Sequence, residues 1–204
     1  MRWFALVLLF VVSGVSWAGE VFLVPENSPK PVYPRALSRA GITGDVRVGF
    51  TAHSDGSVSK VSVLESDHPE LAESARIAVS QWRFRPWTAS NEQPGEVEVV
   101  APMAFRLNQG LPLDANKWLT ELRCREVNEE LRNVPEGSWV DSSVFNITRG
   151  YLSNAFPMAQ LSRDQRLALI AKLNKSVPGI VWGCRSSPVS RYVKYLPADV
   201  RKLL

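Results

Sequence analysis

The sequence predicts an α+β fold: a three-stranded antiparallel sheet with two helices on one face, followed by a small all-α extension. Three observations carry that expectation. Two runs of alternating apolar and polar residues flank an Asp-Gly dipeptide, the signature of a hairpin. A segment with helix start signals lies on each side of that hairpin. A third alternating run, Val97–Leu107, contains Pro102, and a proline inside a strand confines it to a sheet edge.

The elements follow in order. Residues 19–30 form an extended lead-in. In Pro31–Gly41, Pro34 suits the first turn of a helix, where its missing N–H has no partner to lose. Gly41 suits the left-handed residue just past the end. Two turns are unstable alone, so this helix must dock, through Tyr33, Ala36, Leu37 and Ala40. Over Asp45–Ala52, Val46, Val48 and Phe50 share one face, and Asp45, Arg47 and Thr51 the other. Ser54-Asp55-Gly56-Ser57 is a tight turn, because Asp-Gly tolerates positive φ. Val58–Glu65 returns with Val61 and Val63 inward.

Ser66 or Asp67 can cap the next helix, with Pro69 in its first turn and Glu70 placed for a reciprocal contact with Asp67. Leu71, Ala72, Ala75, Ala78, Val79 and Trp82 form one apolar stripe, and Pro86 stops it. Trp82 and Phe84 read as core. Arg83 and Arg85 alternate with them and face solvent or a partner. In the last strand the Pro102 amide position faces outward.

The chain has 204 residues and a formal charge of +4. That excess is small, and no basic run or aromatic-basic array accompanies it, which excludes a nucleic-acid partner. Met1–Ala18 reads as a secretory signal peptide. Arg2 is the positive start, Trp3–Val12 is apolar, and Ser16-Trp17-Ala18 supplies the small residues for cleavage after Ala18. An uncleaved anchor at the inner membrane is the alternative, although Trp3–Ala18 is shorter than the roughly 20 residues of a spanning helix. An exported chain with two cysteines, Cys124 and Cys184, is expected to form one disulfide; two buried free thiols are the other reading. Two histidines without a Cys-x-x-Cys motif argue against a metal site, and no motif points to a cofactor. His53, Ser54 and Asp55 are neighbours along a hairpin and diverge, whereas catalytic triads converge from distant positions. The chain is read as no enzyme.

The positions Tyr33-Pro34, Ala36, Gly41, Gly44, Val46, Phe50, Asp55-Gly56, Val58, Val61, Val63, Ser66, Leu71, Ala75, Trp82-Arg83-Phe84, Pro86 and Phe105-Arg106-Leu107 together resemble the TonB C-terminal domain. The likeness covers residues 31–108. It implies a periplasmic module that docks an extended segment of an outer-membrane receptor or other envelope protein by strand addition. The residues it singles out for partner binding are Arg83, Arg85, Val97, Val99, Ala101, Met103, Phe105 and Arg106. It also implies, as an alternative, an energy transducer working with an inner-membrane motor complex, and it leaves a homodimer open. Against the transducer, the lead-in is short, and about twelve extended residues reach roughly 40 Å.

Gln109-Gly110-Leu111-Pro112 marks a boundary, and residues 111–204 are read as a disulfide-pinned helical extension. Helices are expected over Leu113–Arg132, from Asp141-Ser142 toward Phe156, from Ser162 with Leu167, Leu169, Ile170 and Leu173 as its face, and over Ser190–Leu204. The last has a basic face of Arg191, Lys194, Arg201 and Lys202, which reads as solvated, with lipid contact as the lesser alternative. A third reading of function is an envelope assembly protein acting through this extension.

Overall fold

The computed structural model describes residues 23–90, 94–154 and 160–204. The leader reading for Met1–Ala18 lies outside these. The first half of the described chain forms β1 (Pro25–Asn27), α1 (Arg35–Ala40), β2 (Gly44–His53), β3 (Val58–Ser66), α2 (Pro69–Ser80), β4 (Arg83–Phe84) and β5 (Glu96–Phe105). Alternation sets the sheet. Val46, Val48, Phe50 and Ala52 of β2 are all buried against the helices. The sheet order is β3-β2-β5, antiparallel throughout. The expected edge position of the third strand is therefore the observed one.

The hairpin turn depends on Gly56, whose φ is +83°. Asp55 Oδ1 accepts from Ser57 N at 2.8 Å and Ser57 Oγ at 2.6 Å, and these bonds hold its carboxyl below the usual carboxylate range. A Cβ on Gly56 would lie 2.0 Å from Phe84 O. The glycine is thus required twice, for its dihedral and for the approach of β4, where Phe84 N donates to Gly56 O at 2.9 Å.

Three local expectations give way to tertiary contacts. His68 caps α2, its Nδ1 accepting from Glu70 N at 3.2 Å. Asp67 is drawn away instead, since its carboxylate accepts from Asp45 N at 2.8 Å. The helix ends at Ser80, before Pro86, because Arg83–Phe84 pairs with the lead-in strand β1. Arg85 N also donates to Val24 O, and Trp82 Nε1 to Pro29 O. In α1 only Leu37 is buried, while Ala36 and Ala40 are exposed. Tyr33 docks as expected, its ring edge-on to Phe105 at 5.5 Å and its hydroxyl on Ile42 O at 2.7 Å.

The second half forms α3 (Ala115–Glu121), α4 (Cys124–Glu130), α5 (Ser143–Ser153), α6 (Arg163–Ser186) and α7 (Ala198–Arg201), with 3-10 turns at Glu136–Asp141 and Tyr192–Tyr195. The single helix expected over Leu113–Arg132 is broken at Leu122-Arg123. There the backbone leaves the helix to bond Pro188, Ser190 and Tyr192. The helix expected over Ser190–Leu204 is likewise split at Pro197. The helix that begins at Ser143 ends at Ser153, and Phe156 lies outside the described residues. Ser162 and Gln165 cap α6 reciprocally. Cys124 and Cys184 are bonded, with Cα atoms 4.7 Å apart, and tie α4 to α6.

Among the described residues, two separate apolar cores result. One centres on β2 and α2, the other on α6 with Leu119, Phe145, Leu152 and Tyr192. The helical lobe meets the sheet lobe at α1. Arg39 donates to both carboxylate oxygens of Asp141 at 2.6 and 2.5 Å. Asn174 Nδ2 donates to Arg39 O at 2.6 Å, and its Oδ1 accepts from the buried Arg149 at 3.0 Å. Arg149 also donates to Asn146, whose Nδ2 donates to Asp141 O at 2.8 Å. This closes a ring of polar contacts across the seam. Beside it, Gly150 lets α5 approach the end of the sheet, because a Cβ there would lie 2.6 Å from Leu107 O.

Candidate functional site

The sheet has two outer edges, and they differ. Along β3 the register with β2 shifts twice, between Arg47 and Val48 and between Gly49 and Thr51. Lys60 sits in the second irregularity with φ of +51°. Bulges and a lysine are devices by which edge strands resist pairing. Along β5 the register is continuous from Gly44↔Phe105 to His53↔Glu96. Pro102 faces Arg47 in this ladder, and a proline in an unbroken ladder must have its nitrogen on the outer side. The backbone groups of Glu98, Val100 and Ala104 share that outward phase. Gln109 Nε2 donates to Ala104 O at 3.2 Å, as an outward carbonyl allows.

This places the residues singled out from sequence. Val97, Val99, Ala101, Met103 and Phe105 all point to the core side, and Ala101 and Phe105 are buried. Their N–H groups face β2. The side chains presented outward are the alternate set, Glu98, Val100, Pro102 and Ala104, all exposed. The residues named from sequence thus carry core-facing side chains, and the backbone groups left on the outer side of the edge are those of the alternate residues.

Met103, Phe105 and Arg106 still meet at one place. Together with Tyr33, Trp82 and Phe84 they line a groove of about 530 Å³ between β5 and the lead-in Pro25–Pro31. Burial beside this groove pushes the Tyr33 hydroxyl up to about 12, against the opposing pull of Arg106. Arg106 is held in place: it donates to Gly44 O at 2.8 Å and to both oxygens of Asp45 at 2.7 and 2.8 Å. Arg83 and Arg85 are exposed on and beside β4, and Arg83 Nη1 donates to Trp82 O.

His53, Ser54 and Asp55 bond separately: Ser54 N donates to Gly95 O, and Asp55 Oδ1 accepts from Ser57. Sequence reasoning missed that His53 meets Ser59 and Glu96 across the strands. His53 Nε2 lies 2.6 Å from Ser59 Oγ, and its Nδ1 lies 3.4 Å from Glu96 Oε1. The only sequence signal was their shared strand phase. The cluster stands on the open face of the sheet, with Glu96 largely exposed, and it braces three strands at the hairpin end. Among the described residues no group of three or more His, Cys, Asp or Glu could hold a metal ion, and no helix is long and apolar enough to cross a membrane.

A three-stranded antiparallel sheet with two short helices and one edge strand in unbroken register is a small α+β module. Residues 29–107 match the family described as Gram-negative bacterial TonB protein C-terminal. That segment is a TonB C-terminal-type domain. The chain is 41% identical over 63 residues to Protein TonB of Pseudomonas aeruginosa, covering 30% of this chain and 18% of the relative. It is 34% identical over 90 residues to Protein TonB of Xanthomonas campestris pv. campestris, covering 44% and 40% respectively. It therefore spans less than half the length of these relatives. The solution NMR structure of the Pseudomonas aeruginosa TonB CTD is 32% identical and covers 41% of this chain and 85% of that chain, with a TM-score of 0.34.

Proposed function

We propose that residues 31–108 are a protein-docking module of the cell envelope, taking up an extended segment of an outer-membrane receptor or other envelope protein by strand addition along β5. The observation that carries this reading is the difference between the edges: β5 is regular and outward-facing, while β3 is bulged twice. An incoming strand would pair with the N–H groups of Glu98 and Val100 and with the outward carbonyls of Glu98, Val100 and Pro102. Val100 would meet it on the outer face, and Met103 and Phe105 on the groove side. Arg83 and Arg85 are candidate flanking contacts. The family likeness supports a protein-interacting role and a periplasmic location.

The TonB relatives also suggest an energy transducer. Residues 24–32 pack on the domain, by Arg85 N on Val24 O, Trp82 Nε1 on Pro29 O and Ser74 Oγ on Val32 O. The binding-module reading is favoured by the difference between the two sheet edges.

The test is a photo-crosslinking residue at Glu98 in intact cells, in backgrounds carrying Val100→Ala or Val100→Pro. Capture of an envelope protein should survive the alanine and be lost with the proline, which removes only an outward N–H. Undiminished capture with the proline, or capture solely of a second copy of the chain, would overturn the reading.

A further inference from the structure

The seam between the lobes forms an open polar cleft of about 380 Å³, within the size range of small-molecule sites, with Asp67 and Arg163 exposed at it and Arg166 half-buried. Interfaces between lobes are where such sites concentrate. Three guanidinium groups, Arg106, Arg163 and Arg166, and two carboxylates, Asp45 and Asp67, line it. They are not equivalent. Arg106 Nη2 reaches both oxygens of Asp45 at 2.7 and 2.8 Å, so those two charges cancel. Asp67 accepts one backbone N–H, from Asp45 at 2.8 Å, and has no cationic partner among the described residues. Arg166 donates Nη1 to Leu161 O at 2.9 Å, which leaves its other donors for the cleft. Arg163 has no hydrogen-bond or ion-pair partner among the described residues. What remains is two guanidiniums on α6 and one carboxylate on the sheet lobe, an excess of one positive charge.

A ligand that balances this arrangement carries two carboxylates and one ammonium group. Each carboxylate meets a guanidinium, the pairing that planar forked donors favour, and the ammonium meets Asp67. We infer that the seam cleft binds an acidic α-amino acid, bridging the two lobes through Arg163, Arg166 and Asp67. This site is separate from the β5 edge and does not depend on the docking reading.

Isothermal titration calorimetry on the full chain tests it, with both enantiomers of glutamate, with glutarate, which lacks the ammonium, and with inorganic phosphate. One glutamate enantiomer at least should bind about tenfold tighter than glutarate, since a charge-assisted contact is worth that much. Arg163→Gln and Arg166→Gln should each weaken glutamate about tenfold. Asp67→Asn should erase the preference for glutamate over glutarate. A urea midpoint for each variant, close to that of the parent, shows that it folds. The inference is overturned if no probe gives heat, if glutarate or phosphate binds as well as glutamate, or if Asp67→Asn keeps the preference.

Discussion

Replacing two adjacent residues of β5 by proline should have opposite consequences. Val99 faces Phe50 across the ladder and Val100 faces Gly49. Pro102 fixes the phase of the strand: its own nitrogen points outward, so that of Val100 does too, and that of Val99 points to β2. Val99→Pro therefore removes a ladder bond and sets a ring against β2. It also replaces a side chain packed on the sheet core. The sum is about 3 kcal/mol or more. Val100→Pro removes an N–H that faces solvent and trims a side chain that is 45% exposed. Its cost should stay within about 1 kcal/mol, partly offset by the stiffer unfolded chain. Urea unfolding followed by circular dichroism reads both as shifts in midpoint. If Val100→Pro falls as far as Val99→Pro, the assignment of the outward edge is wrong and the docking mechanism goes with it.

Other consequences follow from the same contacts. Gly56→Ala forces a non-glycine into φ of +83° and against Phe84 O, so it should cost about 2 kcal/mol or more in urea unfolding. The Arg39 hydrogen bonds, aided by the charges of Arg39 and Arg35, hold Asp141 below the usual carboxylate range. A depressed carboxylate stabilises above its unfolded pKa and loses that contribution as pH falls through the folded value. The seam should thus weaken below about pH 4. Asp141→Asn should lower stability near neutral pH by about 1 kcal/mol, a value already discounted for partial exposure, and should flatten the acid limb; midpoints across pH check both. Cys184→Ser opens a loop spanning 60 residues, with an expected loss of about 4 kcal/mol in the helical lobe. Backbone resonances of the sheet lobe should stay in place, and their wholesale collapse would show that the two cores do not fold separately.

The sheet was legible because its signals are local. Alternation in β2, the Asp-Gly turn and Pro102 each act through neighbours in sequence. The features that were not legible are fixed by distant partners. His68 is an unusual cap, chosen because Asp67 is occupied by Asp45 N. The two-residue strand β4 exists only by pairing with β1, and no periodicity marks a pair that short. The break at Leu122-Arg123 lies in a sequence that suits a continuous helix; bonds to residues 188–192 override it. For the candidate site, the strand and its edge position were readable, but which backbone groups lie on the outer side was not. It depends on which face of the strand is buried, and Ala101 and Phe105 are the buried members of the inner phase. The seam ring joins Arg39 to Asp141, 102 residues apart, and charged residues carry no local mark of such a partner.

The most direct measurement is amide hydrogen exchange, residue by residue along β5, with and without the segment captured by crosslinking. The account predicts that Glu98, Val100 and Ala104 exchange fast in the free protein and become protected when the segment binds, while Val97, Val99 and Ala101 are protected throughout. Binding that leaves Glu98 and Val100 unprotected would contradict it, and so would slow exchange at those amides before any partner is added.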